Sequence, residues 1–105
     1  MNSNLSVNSL DVLIEKIKNI ITNEKQISIY ELKDTQLEEM GEIFEIYGPN
    51  MLEVFLRNKE RKEEKKSQLY KFIREKILPL LKNDPNINKQ REIGRYLIKS
   101  LNKIL

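Results

Sequence analysis

Side chains that commonly carry out catalysis are scarce in this chain of 105 residues. It contains no His and no Cys, which excludes imidazole acid–base catalysis, thiol chemistry, disulfides and Cys/His zinc sites. Its three glycines, Gly41, Gly48 and Gly94, are too far apart in sequence to form a phosphate-binding loop. We therefore predict a protein that is not an enzyme and that requires no cofactor.

A cluster of carboxylates occupies the first half of the chain, and its members are Glu38, Glu39, Glu42 and Glu45. Hard cations such as Mg²⁺ bind carboxylate oxygens, but a site needs ligands that converge from more than one element. These four positions spread around the exposed arc of one predicted helix. We expect a solvated acidic face without a metal site. The helix over residues 35–47 is also a candidate contact for a protein partner or for a second copy of the chain.

Four basic residues near the end of the chain recur at intervals of four, and we call them the basic ladder: Arg91, Arg95, Lys99 and Lys103. Like charges at this spacing repel one another along a helix. Glu92 is the only acidic residue in residues 88–105, so little within this helix offsets the repulsion. Three explanations remain open: a solvated face, phosphates of DNA or RNA, or the acidic helix over residues 35–47 of the same chain.

A charged block over residues 57–66 carries six positive and three negative side chains. It is either an exposed connector or part of a basic surface that faces a nucleic-acid backbone. The basic residues of that predicted surface are Arg57, Arg61, Lys62, Lys65, Lys66, Lys71 and Arg74. Tyr70 and Tyr96 would add base stacking, but both lie in or beside apolar sectors, which favours core or boundary positions.

The same block divides the chain by charge. Residues 1–56 contain four Lys or Arg against ten Asp or Glu, a net charge of −6. Residues 57–105 contain fifteen against six, a net charge of +9, and the two parts give the total of +3. The positive excess of the second part is larger than solubility requires, which favours a polyanionic partner.

Hydrophobic periodicity predicts an all-α fold of four main helices plus one short helix. We predict a single helical domain over residues 9–105 that follows a disordered tail at residues 1–8. The clearest amphipathic helix covers residues 10–22. Residues 27–32 fit either a short strand or a short helix that starts from a Ser28–Glu31 capping box. Because no second strand pattern exists to pair with, the helix is favoured.

Turn and capping signals divide the middle of the chain. Thr35 and Glu38 predict a capping box, and Gly48 followed by Pro49 predicts that one helix ends and another starts. Apolar residues on both sides of the charged block share one helical phase, which predicts a long projecting helix over residues 50–81.

A break at Ser67 into two helices is the alternative to that long helix. Pro79 predicts a kink or an end near Leu78. Residues 83–86 are a turn by composition, and residues 88–105 are predicted to form the last helix.

No segment approaches the roughly 18 consecutive apolar residues of a membrane span, and residues 1–9 lack the pattern of a signal peptide. We expect a cytoplasmic protein without membrane attachment. Two classes of function fit these features. The favoured one is a small, non-enzymatic nucleic-acid-associated protein that contacts the phosphate backbone through the basic C-terminal half. The alternative is a helical adaptor for protein–protein interaction or an accessory subunit of a larger complex.

Overall fold

Helices form almost all of the regular structure in a computed structural model of the chain, which describes residues 2–82 and 86–104, with side chains from residue 10 onward. Five α-helices lie in these residues, and no strand does. They are α1 (Asn2–Asn23), α2 (Asp34–Tyr47), α3 (Pro49–Lys62), α4 (Ser67–Phe72) and α5 (Ile87–Lys99). The all-α prediction is confirmed.

Helix α1 begins at Asn2, well before the predicted start at residue 10. Met1 and the side chains of residues 2–9 lie outside the described part of the structure, so the predicted tail at residues 1–8 stays a prediction. Further along the helix, Ile17 and Ile21 are buried, and the half-buried Ile14 packs against the same core. The apolar face predicted for residues 10–22 is therefore the face that packs.

The ambiguous segment at residues 27–32 is helical, with one 3-10 turn at Ile29–Glu31. Ile29 and Leu32 are both 1% exposed, so burial of their side chains holds the turn against the core. The side chain of Ser28 makes no capping hydrogen bond, so the predicted capping box at this turn is wrong.

The start of α2 and its junction with α3 are set by local hydrogen bonds and by one glycine. The Lys33 N–H donates to Gln36 Oε1 at 2.9 Å, which replaces the predicted Thr35–Glu38 capping box. Gly48 has a φ of +92°, a conformation that favours glycine, and it ends α2. Pro49 is the first residue of α3, where its missing N–H costs nothing. The predicted end and restart are confirmed.

Helices α3 and α4 are separate and pack on each other, so one long projecting helix over residues 50–81 is not formed. Helix α3 ends at Lys62, and the next residue, Glu63, has non-helical angles of φ −114° and ψ 81°. A 3-10 turn at Glu64–Lys66 then leads into α4. This reversal of the chain buries Leu56 of α3 and Leu69 of α4 in the same core. A straight helix would leave one of these apolar sets in water.

Beyond α4 the chain changes its helical winding before Pro79. A π-helical turn covers Ile73–Ile77, in which the Leu78 N–H donates to the carbonyl of Ile73, and a 3-10 turn follows at Leu78–Lys82. Proline lacks an N–H, and its ring clashes with the carbonyl four residues earlier in an α-helix. Helix α4 itself ends at Phe72, and Leu78 keeps helical geometry with φ −54° and ψ −43°. The kink or end predicted near Leu78 is therefore confirmed only as the change from the π-helical turn to the 3-10 turn.

Helix α5 begins with an Asn86 cap, whose Oδ1 accepts a hydrogen bond from the Lys89 N–H at 3.1 Å. It ends at Lys99, so the helix predicted to continue through residues 88–105 is too long. The turn predicted at residues 83–86 falls mostly on residues 83–85, which lie outside the described part.

Two glycines allow α2 and α5 to approach closely. A Cβ atom added to Gly94 would lie 2.2 Å from Cε1 of Phe44, inside contact distance. A Cβ atom added to Gly41 would lie 3.2 Å from Cγ of Lys99 and 3.3 Å from the carbonyl oxygen of Arg95. Both glycines therefore serve the packing of these two helices, although glycine within a helix costs about 0.5–1 kcal/mol relative to alanine.

Candidate functional site

Three residues of the basic ladder lie on α5 and face α2, and they are Arg91, Arg95 and Lys99. Lys103 lies in a turn that follows α5. Nη1 of Arg95 is 3.0 Å from Oε1 of Glu45, and Nζ of Lys99 is 3.5 Å from Oε1 of Glu38. Within the described residues, Lys103 is exposed and forms no ion pair. Of the three explanations for the ladder, the one in which α2 of the same chain supplies negative charge accounts for Arg95 and Lys99.

Arg91, the first residue of the ladder, binds the C-terminal end of α2. Its Nη1 donates a hydrogen bond of 3.3 Å to the carbonyl oxygen of Ile46. The last carbonyls of a helix lack partners within the helix and carry its negative dipole end, so a guanidinium there is favourable. A Cβ atom on Gly48 would lie 3.1 Å from Nη2 of Arg91, so this glycine also leaves room for the arginine.

A second group of predicted basic residues lies where α3 ends and α4 begins, and we call it the cationic corner: Arg61, Lys62, Lys65 and Lys66. Lys66 is half-buried and the other three are exposed. Within the described residues, none of the four forms an ion pair or a side-chain hydrogen bond. Their charge is therefore available to a partner, in contrast to the charge of Arg95 and Lys99.

Basic residues beside the corner differ in how far their charge is compensated. Arg74 binds Glu60 through two hydrogen bonds, at 2.7 and 3.0 Å, and the two side chains are only 14% and 15% exposed. Arg57 forms an exposed pair with Glu53 at 3.3 Å. Lys71 is exposed and has no carboxylate partner in the described part. Arg74 is thus removed from the predicted nucleic-acid surface, whereas Lys71 extends it.

The Glu60–Arg74 pair perturbs the protonation of both groups. The pKa of the Glu60 carboxyl is lowered, mainly because Arg74 donates hydrogen bonds to it. Burial raises this pKa, whereas the charges of Arg57 and Lys71 lower it further. The hydrogen bond to Glu60 likewise raises the pKa of Arg74. Both groups are therefore charged at neutral pH, and the pair fixes α3 against the π-helical turn.

The carboxylates on α2 are shared between the fold and the solvent. Glu45 and Glu38 pair with α5, while Glu39 and Glu42 are exposed. Among the residues that the structure describes, no group of three or more acidic side chains is arranged to hold a metal ion. The acidic face therefore contributes to the docking of α5. The expectation of a solvated face did not include this contact between the two helices.

The two tyrosines singled out for stacking occupy different environments. Tyr70 is 1% exposed, and its hydroxyl accepts a hydrogen bond from Nε2 of Gln36 at 3.2 Å. Burial raises the pKa of Tyr70 to about 12, and the negative charge of Glu63 adds to this effect. Tyr96 is 56% exposed, so the expected core or boundary position is confirmed for Tyr70 and wrong for Tyr96. Of these two tyrosines, Tyr96 is the one available for stacking.

An exposed apolar patch surrounds the junction of α2 and α3, and no single helical period reveals it. Its members are 50–62% exposed, and they are Ile46, Tyr47, Met51 and Val54. These residues belong to two successive helices and lie within nine positions of one another, on both sides of the reversal at Gly48 and Pro49. Sequence reasoning missed this patch, and the only available signal was the clustering of four large apolar residues around a predicted turn.

Comparisons with known proteins found no match. No protein-family model, no curated protein and no solved structure matches this chain. The described helices also contain none that is long and apolar enough to cross a lipid bilayer.

Proposed function

We propose that this protein is a non-enzymatic, cytoplasmic nucleic-acid-binding protein whose cationic corner contacts the phosphate backbone. The observation that supports this function is that four basic side chains within six residues have no acidic partner in the described part of the structure. Lys71 and the partly compensated Arg57 flank the corner and extend its positive charge. The corner replaces the basic ladder as the main contact, since the ladder binds α2.

Contacts of this kind recognise charge and spacing rather than base identity. Lysine and arginine that neutralise phosphates release condensed counterions, so binding is strong at low salt and declines steeply as salt increases. No aromatic residue belongs to the corner, which favours contacts with the backbone over base stacking. The proposal therefore covers DNA and RNA alike, with binding that depends little on sequence.

Neutralising the corner is expected to weaken nucleic-acid binding strongly. In a variant with Arg61, Lys62, Lys65 and Lys66 all changed to Gln, affinity for a fluorescein-labelled 20-base-pair duplex should decrease by roughly a hundredfold at ~50 mM salt. Fluorescence anisotropy measures this affinity, and circular dichroism checks that the helix content is unchanged. A labelled single strand of the same length shows whether the protein prefers double-stranded or single-stranded nucleic acid.

A charge-matched control separates a local site from a general effect of net charge. Lys16, Lys25, Lys33 and Lys76 are exposed and lie outside the corner, and changing all four to Gln removes the same charge. This control should bind the duplex within about threefold of the unmodified protein. Equal loss of affinity in both variants, or no binding by the unmodified protein at ~50 mM salt, would rule out the corner as a phosphate-binding site.

The apolar patch supports a second candidate function, that of an adaptor which binds an amphipathic helix of a partner protein. Patches of exposed apolar side chains commonly mark protein interaction sites. Glu42 and Glu39 are exposed on α2, four and seven residues before Ile46, and so on the same side of the helix. The preferred partner is therefore a helix with an apolar stripe and basic flanking residues.

Replacing apolar side chains of the patch with polar ones is expected to weaken binding of such a helix. A synthetic amphipathic peptide with a leucine stripe and flanking lysines serves as the probe in isothermal titration calorimetry. Changing Met51 and Val54 to Ser should weaken its binding by at least about tenfold, because the apolar contact is lost. Tyr30→Ser changes an equally exposed apolar residue elsewhere and should have no effect. An equal response of both variants contradicts the adaptor function.

A further inference from the structure

An open groove of about 620 Å³ runs along the side of α5 that carries the basic ladder. All four ladder residues line it, together with the side chain of Tyr96 and the hydroxyl-bearing Ser100. Glu45 and Glu92 are the carboxylates in its wall, and Glu38 pairs with Lys99 from outside the wall, so basic groups outnumber the acidic ones by four to three. The groove is large enough for a small ligand, and its charge selects an anion.

The arginines in this groove carry more hydrogen-bond donors than α2 can satisfy. Arg95 donates to Glu45, and Arg91 donates to the Ile46 carbonyl, each through Nη1. A guanidinium has five N–H donors, and each arginine uses one of them for α2. Nε of both arginines is buried and cannot reach a ligand, so the donors left for an anion in the groove belong to the Nη groups. A phosphate group placed between the two side chains would accept hydrogen bonds from both guanidiniums, and the contacts with α2 already orient them.

Tyr96 adds a flat apolar surface beside this anion-binding region. Its ring is 56% exposed, lies next to Arg95 in sequence and contributes to the wall of the same groove. Aromatic rings stack on nucleobases with little regard to their identity. We infer that this groove binds a small organic phosphate with a planar ring, such as a nucleoside monophosphate, with the phosphate at Arg91 and Arg95 and the ring against Tyr96. This site is distinct from the cationic corner and does not depend on it.

Adenosine monophosphate is the probe for this site, titrated into the ¹⁵N-labelled full chain and followed by amide chemical shifts. Shifts are expected to concentrate in residues 88–103, with saturation at millimolar concentrations or below. Inorganic phosphate should perturb the amides near Arg91 and Arg95 more weakly, and adenosine, which lacks the phosphate, should leave them unchanged. Tyr96→Ala should weaken binding of adenosine monophosphate about tenfold, because one stacked base contributes roughly 1–3 kcal/mol.

Two further variants make the test specific. Tyr30→Ala removes an equally exposed tyrosine far from α5 in sequence and should bind adenosine monophosphate like the unmodified protein. Lys103→Gln removes an exposed groove cation and should weaken both adenosine monophosphate and inorganic phosphate by a few fold. The proposal is overturned if shifts in residues 88–103 are absent at ~10 mM ligand, or match those caused by adenosine. Equal affinities of Tyr96→Ala and Tyr30→Ala would overturn it as well. Duplex binding by the cationic corner should be unaffected by Tyr96→Ala.

Discussion

Gly94→Ala is expected to destabilise the protein by about 3 kcal/mol, because the new methyl group overlaps the buried ring of Phe44. The added Cβ would lie 2.2 Å from Cε1 and 2.6 Å from Cδ1 of that ring, which is 0% exposed and cannot move into solvent. In most helices this substitution stabilises, since alanine has the higher helix propensity. A decrease in the urea midpoint at unchanged m-value measures the effect.

A double-mutant cycle attributes this cost to the contact between α2 and α5. Phe44→Leu removes the ring atoms that the methyl group would meet. In that background, Gly94→Ala should therefore destabilise the protein by at least about 1.5 kcal/mol less than it does in the unmodified protein. Glu92→Ala, an exposed change in the same helix, should remain within about 0.5 kcal/mol of the unmodified protein. A Gly94→Ala variant that is as stable as the unmodified protein would show that α2 and α5 are farther apart than they are in this structure.

Arg74→Gln is expected to lower the free energy of unfolding by about 3 kcal/mol, because it leaves the largely buried carboxylate of Glu60 without its cation. The two hydrogen bonds of this pair, at 2.7 and 3.0 Å, connect α3 to the π-helical turn. Arg57→Gln breaks the pair with Glu53, whose side chains are 52% and 37% exposed, and should cost at most ~0.5 kcal/mol. Urea unfolding of both variants at pH 7 gives the comparison, and equal costs would contradict the structural role of the Glu60–Arg74 pair.

The pH dependence of this pair follows from the lowered pKa of Glu60. Its carboxylate is preferentially stabilised in the folded protein, so the contribution is fully present above its ordinary pKa of 4.5 and is lost as pH decreases through the lowered folded value. The stability difference between the unmodified protein and Glu60→Gln should therefore decrease below pH 4.5. A difference that stays constant in that range would show that the Glu60 carboxyl is not selectively stabilised by folding.

Features encoded by a few neighbouring residues were predictable from the sequence. The apolar stripe of residues 10–22 identified the buried face of α1, and Gly48 with Pro49 identified the junction of α2 and α3 because each residue type has a specific backbone preference. Pro79 likewise indicated a change of helical winding, which occurs where the π-helical turn is followed by the 3-10 turn at Leu78. These predictions succeeded because periodicity and backbone sterics act over short distances along the chain.

Features that depend on tertiary packing could not be predicted in the same way. The apolar residues before and after residues 57–66 share a helical phase, yet the chain turns at Glu63 because α3 and α4 can then pack on each other. Gly41 and Gly94 gave no local signal, since their role is the close approach of α2 to α5. The sequence also left open which partner the basic ladder faces, and only the alignment of α5 with α2 identifies the carboxylates of Glu38 and Glu45.

The central claim is that the basic ladder is held largely against α2, whereas the cationic corner has no acidic partner in the described residues. The salt dependence of duplex binding tests this claim most directly. Affinity of the unmodified protein should decrease linearly in a plot of log K against log salt concentration, with a slope of about −4 for roughly four neutralised phosphates. The variant with Arg61, Lys62, Lys65 and Lys66 changed to Gln should show a much shallower slope, while the charge-matched control keeps the original slope. An unchanged slope in the corner variant would contradict the assignment of the phosphate contacts to this surface.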